Sequence, residues 1–260
     1  MADWLNEWLN VVFRWAHVIA GVMWIGHLWF FNFVNSQVAK TFDADSKRKV
    51  VPELMPRALF WFRWGAAWTF ITGILLLGIV YYMGGNLLRP DCTWSAGVGT
   101  MVGLGVMIVG FFIYDLLWNT GLKGKPFIGT VISLVLLSCA AWGMSCIFSG
   151  RAVFIHIGAI FGTAMAANVW MRIWPAQRKI IAAIRDGQAP DGALVAVAGM
   201  RSKHNTYMSV PLLFLMISNH YPTVYGGNNS WMYAIGFVIV GFLFTYWMYA
   251  KSASASPSKY

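Results

Sequence analysis

The chain has 260 residues, of which 58% are hydrophobic and 11% are charged, whereas about a quarter of the residues in a soluble domain are charged. This composition excludes an ordinary water-soluble domain. The net charge of +10 does not indicate nucleic-acid binding, because the Lys and Arg residues lie between apolar runs and form no compact basic domain. We interpret them as topology signals and contacts to lipid headgroups, so the expected partner is a lipid bilayer and no nucleic acid.

Apolar runs of about 20 residues are long enough to cross about 30 Å of hydrocarbon as helices. The sequence contains seven candidates, near residues 11–34, 64–83, 97–118, 127–148, 152–173, 206–221 and 231–250. Each is predicted to be a helix, because lipid leaves no backbone group unpaired and the alternating segments of a barrel are absent. The predicted fold is an all-α, polytopic membrane helical bundle with one domain, residues 1–250. The connection at 174–203 is predicted to form an amphipathic helix on the inner surface of the membrane. Residues 251–260 are predicted to be a disordered tail.

The positions of the cations predict the orientation. With the N-terminus outside the cytoplasm and the C-terminus inside, only Arg14, Arg89 and Arg151 lie at or near the outer side, as the positive-inside rule requires. The cysteines form no metal-binding pair and no motif for covalent haem, and we expect them to be buried small side chains.

All five histidines lie inside or at the ends of apolar runs: His17, His27, His156, His204 and His220. An imidazole in lipid needs a partner, which makes these residues functional candidates. The orientation sorts them into an outer layer (His17, His156 and His220) and an inner layer (His27 and His204). Two layers of histidine on facing helices are what two b-type haems need as iron ligands.

Cations near each layer are candidates for pairing with haem propionates: Arg14 and Arg151 outside, and Lys203 or Arg201 inside. The simpler interpretation of these cations is that they anchor the helices at the membrane interface. The simpler interpretation of any one histidine is that it packs between helices and forms a hydrogen bond there. Copper held by the outer histidines is less well supported, because no Cys or His-x-His pattern accompanies them. Asp115, in the third run, is a candidate for a proton path or for an ion pair with Lys123.

Three segments resemble one family. They are RSKHNTYMSVPLLFLMISNHYP (201–222), RWAHVIAGVMWIGHLWFF (14–31) and YDLLW (114–118), and they resemble the bacterial membrane-bound urate hydroxylases, named for a urate oxidase N-terminal domain. The resemblance spans essentially the whole chain. It implies a location in the inner membrane of a bacterium and oxidation of urate to 5-hydroxyisourate. By the same resemblance, His17, His27, His204 and His220 lie in the strongest motifs, and His156 in FIHIGAI in a weaker one.

Members of this family typically continue through an eighth helix into a C-terminal cytochrome c. This chain contains no haem c motif, so the resemblance implies that a separate c-type cytochrome or another respiratory-chain protein accepts the electrons. Two alternative functions remain open. The first is a non-enzymatic subunit of a larger respiratory assembly. The second is a transporter, which Asp115 and the glycine-rich third run would suit, although the sequence shows no inverted repeat.

Overall fold

The structure is a computed structural model and describes residues 3–122 and 124–255. Its α-helices are α1 Asp3–Trp29, α2 Ser36–Val38, α3 Ala44–Leu77, α4 Ala96–Asn119, α5 Pro126–Ser145, α6 Gly150–Ala167, α7 Trp174–Arg185, α8 Gly192–Ile217, α9 Pro222–Tyr225 and α10 Ser230–Ser254. π-Helical turns continue three of them, at Phe30–Asn35, Gly78–Tyr82 and Asn168–Ile173. Within the described residues the extended backbone pairing is one isolated bridge, between Leu88 and Phe148. The predicted all-α class is confirmed.

Within the described part of the chain, six helical stretches are long and apolar enough to cross a membrane. They are Trp4–Val38, Ala44–Tyr82, Ala96–Asn119, Pro126–Ser145, Gly150–Arg185 and Ser230–Ser254. The chain is therefore a multi-pass membrane protein by the length and composition of its helices. The sixth predicted run, 206–221, is not among the six, because α8 carries Arg201, Lys203 and His204 and ends at Ile217. The predicted orientation needs an odd number of crossings and stays a prediction.

Large apolar side chains cover the outer surface of the long helices. Phe127 at the start of α5 is 80% exposed, and Phe112 and Leu116 on α4 are 61% and 63% exposed. Exposed apolar faces of this extent are expected where lipid is the solvent. The prediction that the cysteines are buried is wrong, because apolar side chains can face lipid: Cys139 and Cys146 are exposed, and Cys92 is half-buried.

The chain divides into two compact units. The first comprises the chain up to Trp15 with Ile71–Ala164 and Pro211–Val240. Its fully buried side chains include Phe148, Phe154 and Leu215. The second comprises Ala16–Phe70, Met165–Val210 and the chain from Gly241 onward, and it buries Trp24, Leu28 and Phe62.

Two connections in the first unit are joined by backbone hydrogen bonds. Arg89 N–H donates to Ile147 at 3.0 Å, and Ser149 N–H donates to Leu87 at 2.9 Å. The Ser149 hydroxyl also donates to the Asn86 carbonyl at 2.9 Å. We call this pairing of residues 86–89 with 145–149 the clasp. It fixes the chain that follows α3 against the chain that leads into α6.

The predicted amphipathic connection at 174–203 is mostly helical. Its first part is α7, which buries Ala176, Ile180 and Ile181, and Ala198 of α8 packs in the same cluster as Ala176 and Ile180. The amphipathic helix predicted in this segment is thus present. At the other end of the chain, α10 continues to Ser254, and residues 256–260 of the predicted tail lie outside the described residues.

Candidate functional site

A π-helical turn at the end of α3 presents two tyrosines to the interior of the first unit. Gly78–Tyr82 follows α3 without a break, and Tyr81 is 4% exposed. The Asn86 side chain closes this end of the helix by donating to the carbonyls of Val80 at 2.9 Å and Gly84 at 3.0 Å. π Turns are frequent at functional sites because they redirect side chains that an α-helix would space differently.

His156 of α6 is fully buried beside these tyrosines. Its Nδ1 lies 2.7 Å from the Ala152 carbonyl, one turn earlier. A carbonyl only accepts, so Nδ1 carries the proton and Nε2 is the acceptor. Nε2 lies 3.1 Å from the Tyr82 hydroxyl, which therefore donates to it. The ring also contacts Phe148 at a centroid distance of 5.0 Å.

Tyr81 connects this pair to an amide and a cation. Its hydroxyl donates to Asn219 Oδ1 at 2.5 Å, and Asn219 Nδ2 donates in turn to the Leu215 carbonyl at 3.1 Å. The Arg151 guanidinium carbon lies 5.6 Å from the centre of the Tyr81 ring. Arg151 Nε is buried and has no hydrogen-bond partner among the described residues. A buried N–H left without an acceptor is expected where an anionic ligand supplies one.

Gly103 of α4 forms the wall opposite the histidine. A Cβ on this residue would lie 2.7 Å from His156 Nε2 and 3.0 Å from the Tyr82 hydroxyl oxygen. The missing side chain therefore lets the α4 backbone approach these two groups closely. We call Tyr81, Tyr82, Gly103, Arg151, His156 and Asn219 the polar cluster.

The polar cluster contains two of the sequence candidates, His156 and Arg151. Arg14 is held on its own helix, where its Nε donates to Asn10 Oδ1 at 2.5 Å, and it lies close enough to Tyr81 to act on it electrostatically. His220 is exposed in the 3₁₀ turn Ser218–His220, next to Asn219. Asp115 is buried on α4, and Lys123, its predicted partner, lies outside the described residues.

The remaining histidines lie in the second unit, and all are half-buried: His17, His27 and His204. His27 Nδ1 lies 2.7 Å from the Met23 carbonyl, which makes Nε2 the atom with the lone pair. No three His, Cys, Asp or Glu side chains come together as a metal site within residues 3–122 and 124–255. The copper alternative, which needs the three outer histidines together, gains no support from this arrangement.

The histidines fit a haem unequally. An iron ligand needs a neutral imidazole whose free nitrogen faces the macrocycle, with the other nitrogen held by an acceptor. His27 has the required tautomer, because its Nδ1 is held by the Met23 carbonyl. His156 has the same tautomer, but its Nε2 is in contact with the Tyr82 hydroxyl and faces Gly103, which leaves no room for a macrocycle on that edge.

A second buried polar network lies in the second unit. Arg201 is fully buried, and its guanidinium donates to Asn168 Oδ1 at 3.4 Å. Asn168 Nδ2 donates to Asn205 Oδ1 at 2.8 Å, and Asn205 Nδ2 donates to the Met165 carbonyl at 3.0 Å. Arg201 is thus an interior residue and not the interfacial cation expected from its position in the sequence. Lys203 is exposed, with its ammonium 5.6 Å from the Tyr249 ring.

Nothing in the sequence marks Tyr81 and Tyr82 as site residues. A Tyr–Tyr pair at the end of an apolar run is typical of interfacial anchoring, and nothing in residue order marks a π turn. Gly103 belongs to a run of glycines that is equally typical of plain helix packing.

The comparisons with known proteins give one match. The profile of the family described as urate oxidase N-terminal matches residues 3–48 and 41–259. Searches of curated proteins and of solved structures found no match.

Proposed function

Because this chain belongs to the urate oxidase N-terminal family, we propose that it is a membrane-embedded oxidoreductase of the urate hydroxylase type. It oxidises urate, or a closely related purine, and passes the electrons to a c-type cytochrome. The family match along essentially the whole chain carries this proposal. The polar cluster of the first unit supports it, since it supplies groups that a planar purine anion needs.

The reaction balances with water as the oxygen source. Urate and one water give 5-hydroxyisourate, two protons and two electrons. The protein therefore has to bind a planar anion, accept protons and move electrons one at a time to the cytochrome. Residues of this chain are needed for the first two tasks.

The polar cluster has complementary chemistry for urate. Arg151, with its buried unsatisfied Nε, is the countercharge for a purine anion. The Asn219 amide and the Tyr81 hydroxyl match the alternating N–H and C=O groups of the purine edge. His156 accepts a proton at Nε2 through the hydroxyl of Tyr82, with which it is already in contact.

His27 and His204, the predicted inner layer, would hold a b-type haem in the second unit, and that group would supply one-electron transfer. His27 suits this role because its Nδ1 is held by the Met23 carbonyl, which leaves the lone pair on Nε2. His156 acts on substrate protons and does not bind iron.

Anaerobic turnover tests the proposed reaction. The purified protein in detergent is mixed with urate and ferricyanide, and the loss of urate absorbance is followed together with ferricyanide reduction. We expect two ferricyanide ions to be reduced per urate. If urate causes no reduction of ferricyanide, the proposal is contradicted.

Paired variants locate the reaction. Tyr82→Phe removes the hydroxyl that contacts His156 and is expected to lower kcat about a hundredfold, the usual scale for proton transfer. Tyr233→Phe is the matched control, because Tyr233 is 58% exposed. Equal rates in the two variants contradict the role given to the polar cluster.

Optical spectra before and after dithionite test the haem separately. We expect a reduced b-type spectrum that His27→Ala abolishes and His156→Gln leaves intact. A spectrum lost in His156→Gln and kept in His27→Ala contradicts the assignment of the ligand.

A further inference from the structure

A cavity of about 170 Å³ lies in the second unit, between α3 and α7. Its lining combines apolar and cationic side chains: Pro56, Trp174, Arg178, Ile181, Ala182 and Arg185. None of these residues belongs to the polar cluster. The mixed lining indicates a ligand with an apolar part and an anionic part.

Most of the lining comes from one stripe of α7. Residues 174, 178, 181, 182 and 185 recur at intervals of three and four along an α-helix, so they share a face. The packed face is formed by Ala176 and Ile180, which contact the Ala198 cluster. Because this packing fixes the rotation of α7, the face that lines the cavity is held toward α3.

Aromatic and cationic contacts hold the wall of the cavity in place. The Arg63 guanidinium carbon lies 4.1 Å from the centre of the Trp174 ring, and that of Arg178 lies 5.9 Å from it. Trp170 Nε1 donates to the Arg63 carbonyl at 3.1 Å, which ties the turn before α7 to α3. Trp174 is thus a fixed apolar surface with guanidinium groups around it.

The charges at the cavity are only partly neutralised. Asp186 accepts from Arg185 at 2.9 Å, and this hydrogen bond lowers the pKa of the Asp186 carboxyl. On α3, Glu53 pairs with Arg57. Arg178 is exposed and makes no ion pair with any described residue. The cavity therefore keeps a net positive charge with Arg178 as its free donor.

We propose that this cavity binds the phosphate of an anionic phospholipid. Arg178 donates to the phosphate oxygens with help from Arg185, and the glycerol and first acyl carbons pack on Pro56, Trp174 and Ile181. The apolar half of the lining favours a lipid over a free phosphate ion, which would leave it uncovered. The residue types agree, because the last part of the candidate membrane span Gly150–Arg185 carries Trp174, Arg178 and Arg185, and tryptophan and arginine are typical of headgroup level.

Lipid binding to matched variants tests the proposal. The purified protein is titrated with short-chain phosphatidylglycerol below its micelle concentration, and the rise in Tm and tryptophan fluorescence are recorded. Arg178→Gln is expected to weaken binding about tenfold, the scale of a lost charge-assisted hydrogen bond. Lys179→Gln, an adjacent exposed cation outside the cavity lining, is the control and is expected to change binding less than about threefold.

Three outcomes overturn the proposal. They are equal weakening in the two variants, equal binding of short-chain phosphatidylcholine, and full competition by inorganic phosphate at the same concentration. The last outcome identifies a free-anion site. The assay needs neither urate nor haem, so its result is independent of the proposed function.

Discussion

At the scale of single residues, one absent methyl group determines how the polar cluster packs. Gly103 faces His156 Nε2, and a Cβ there would lie 2.7 Å from that nitrogen. The imidazole has nowhere to move, because its other nitrogen is bound to Ala152 and its ring is fully buried. The position therefore tolerates only glycine without displacement of the histidine.

Gly103→Ala is expected to destabilise the protein by about 1–3 kcal/mol, the usual cost of overpacking, and to slow urate turnover. Gly105→Ala on the same helix is the control, since nothing lies within 4 Å of its added Cβ. Alanine favours the helix by about 0.5–1 kcal/mol over glycine, so the control should be neutral or stabilising. Thermal unfolding in detergent measures both, and equal Tm changes contradict the predicted contact.

Tyr81→Phe tests the second contact of the cluster. The substitution leaves Asn219 Oδ1 buried without its donor, which costs about 1–3 kcal/mol. A lower Tm than in the exposed Tyr233→Phe variant is expected. A Tm equal to that of the control means that the Tyr81–Asn219 hydrogen bond contributes nothing to stability.

At the scale of elements, the sequence predicts the helices well and their internal irregularities not at all. Apolar runs predict α4, α5 and α6 because lipid permits only helices and closed barrels, and the alternating segments of a barrel are absent. The π turns Phe30–Asn35, Gly78–Tyr82 and Asn168–Ile173 leave no such signature. Residues on either side of them change phase relative to an ideal helix, so the order of residues does not predict that Tyr81 faces the interior.

Asn86→Ala tests how the end of α3 is held. The asparagine side chain donates to two carbonyls of the π turn and the residues after it, and losing these bonds is expected to cost about 0.5–1.5 kcal/mol. Faster hydrogen exchange should be confined to residues 78–86. Asn228→Ala, at an exposed position of the first unit, is the control, and faster exchange in both variants argues against a specific role for Asn86.

At the scale of the whole molecule, composition establishes the membrane class, and the cation pattern predicts the orientation. Charge counts cannot show which side chains meet, because the central parts of the spans are mostly apolar and periodicity loses its contrast in lipid. The grouping of histidines by depth is an example. Depth groups His156 with His17 and His220, whereas its contacts with Tyr82 and Gly103 depend on helix rotation, which depth does not specify.

Native cysteines provide a test of the predicted orientation. Cys146 is exposed and follows α5, at the outer end in the predicted topology. In intact cells a membrane-impermeant maleimide should label Cys146 in a Cys92→Ser, Cys139→Ser background. Ala255→Cys, at the opposite predicted side, should react only after lysis once Cys146 is also replaced by Ser. Labelling in the reverse pattern contradicts the orientation.

The clasp joins the chain before α4 to the chain after α5, so these two helices form a helical hairpin that is closed at its open end. Within the hairpin, Trp118 Nε1 donates to Ser133 Oγ at 3.2 Å, and Gly129 lies against the Trp118 ring. The two helices are therefore held together by non-covalent contacts at both ends, independently of the connection between Asn119 and Pro126. A polypeptide severed there should assemble from two separately expressed fragments, which makes this turn a natural place to split the protein or to insert a reporter domain.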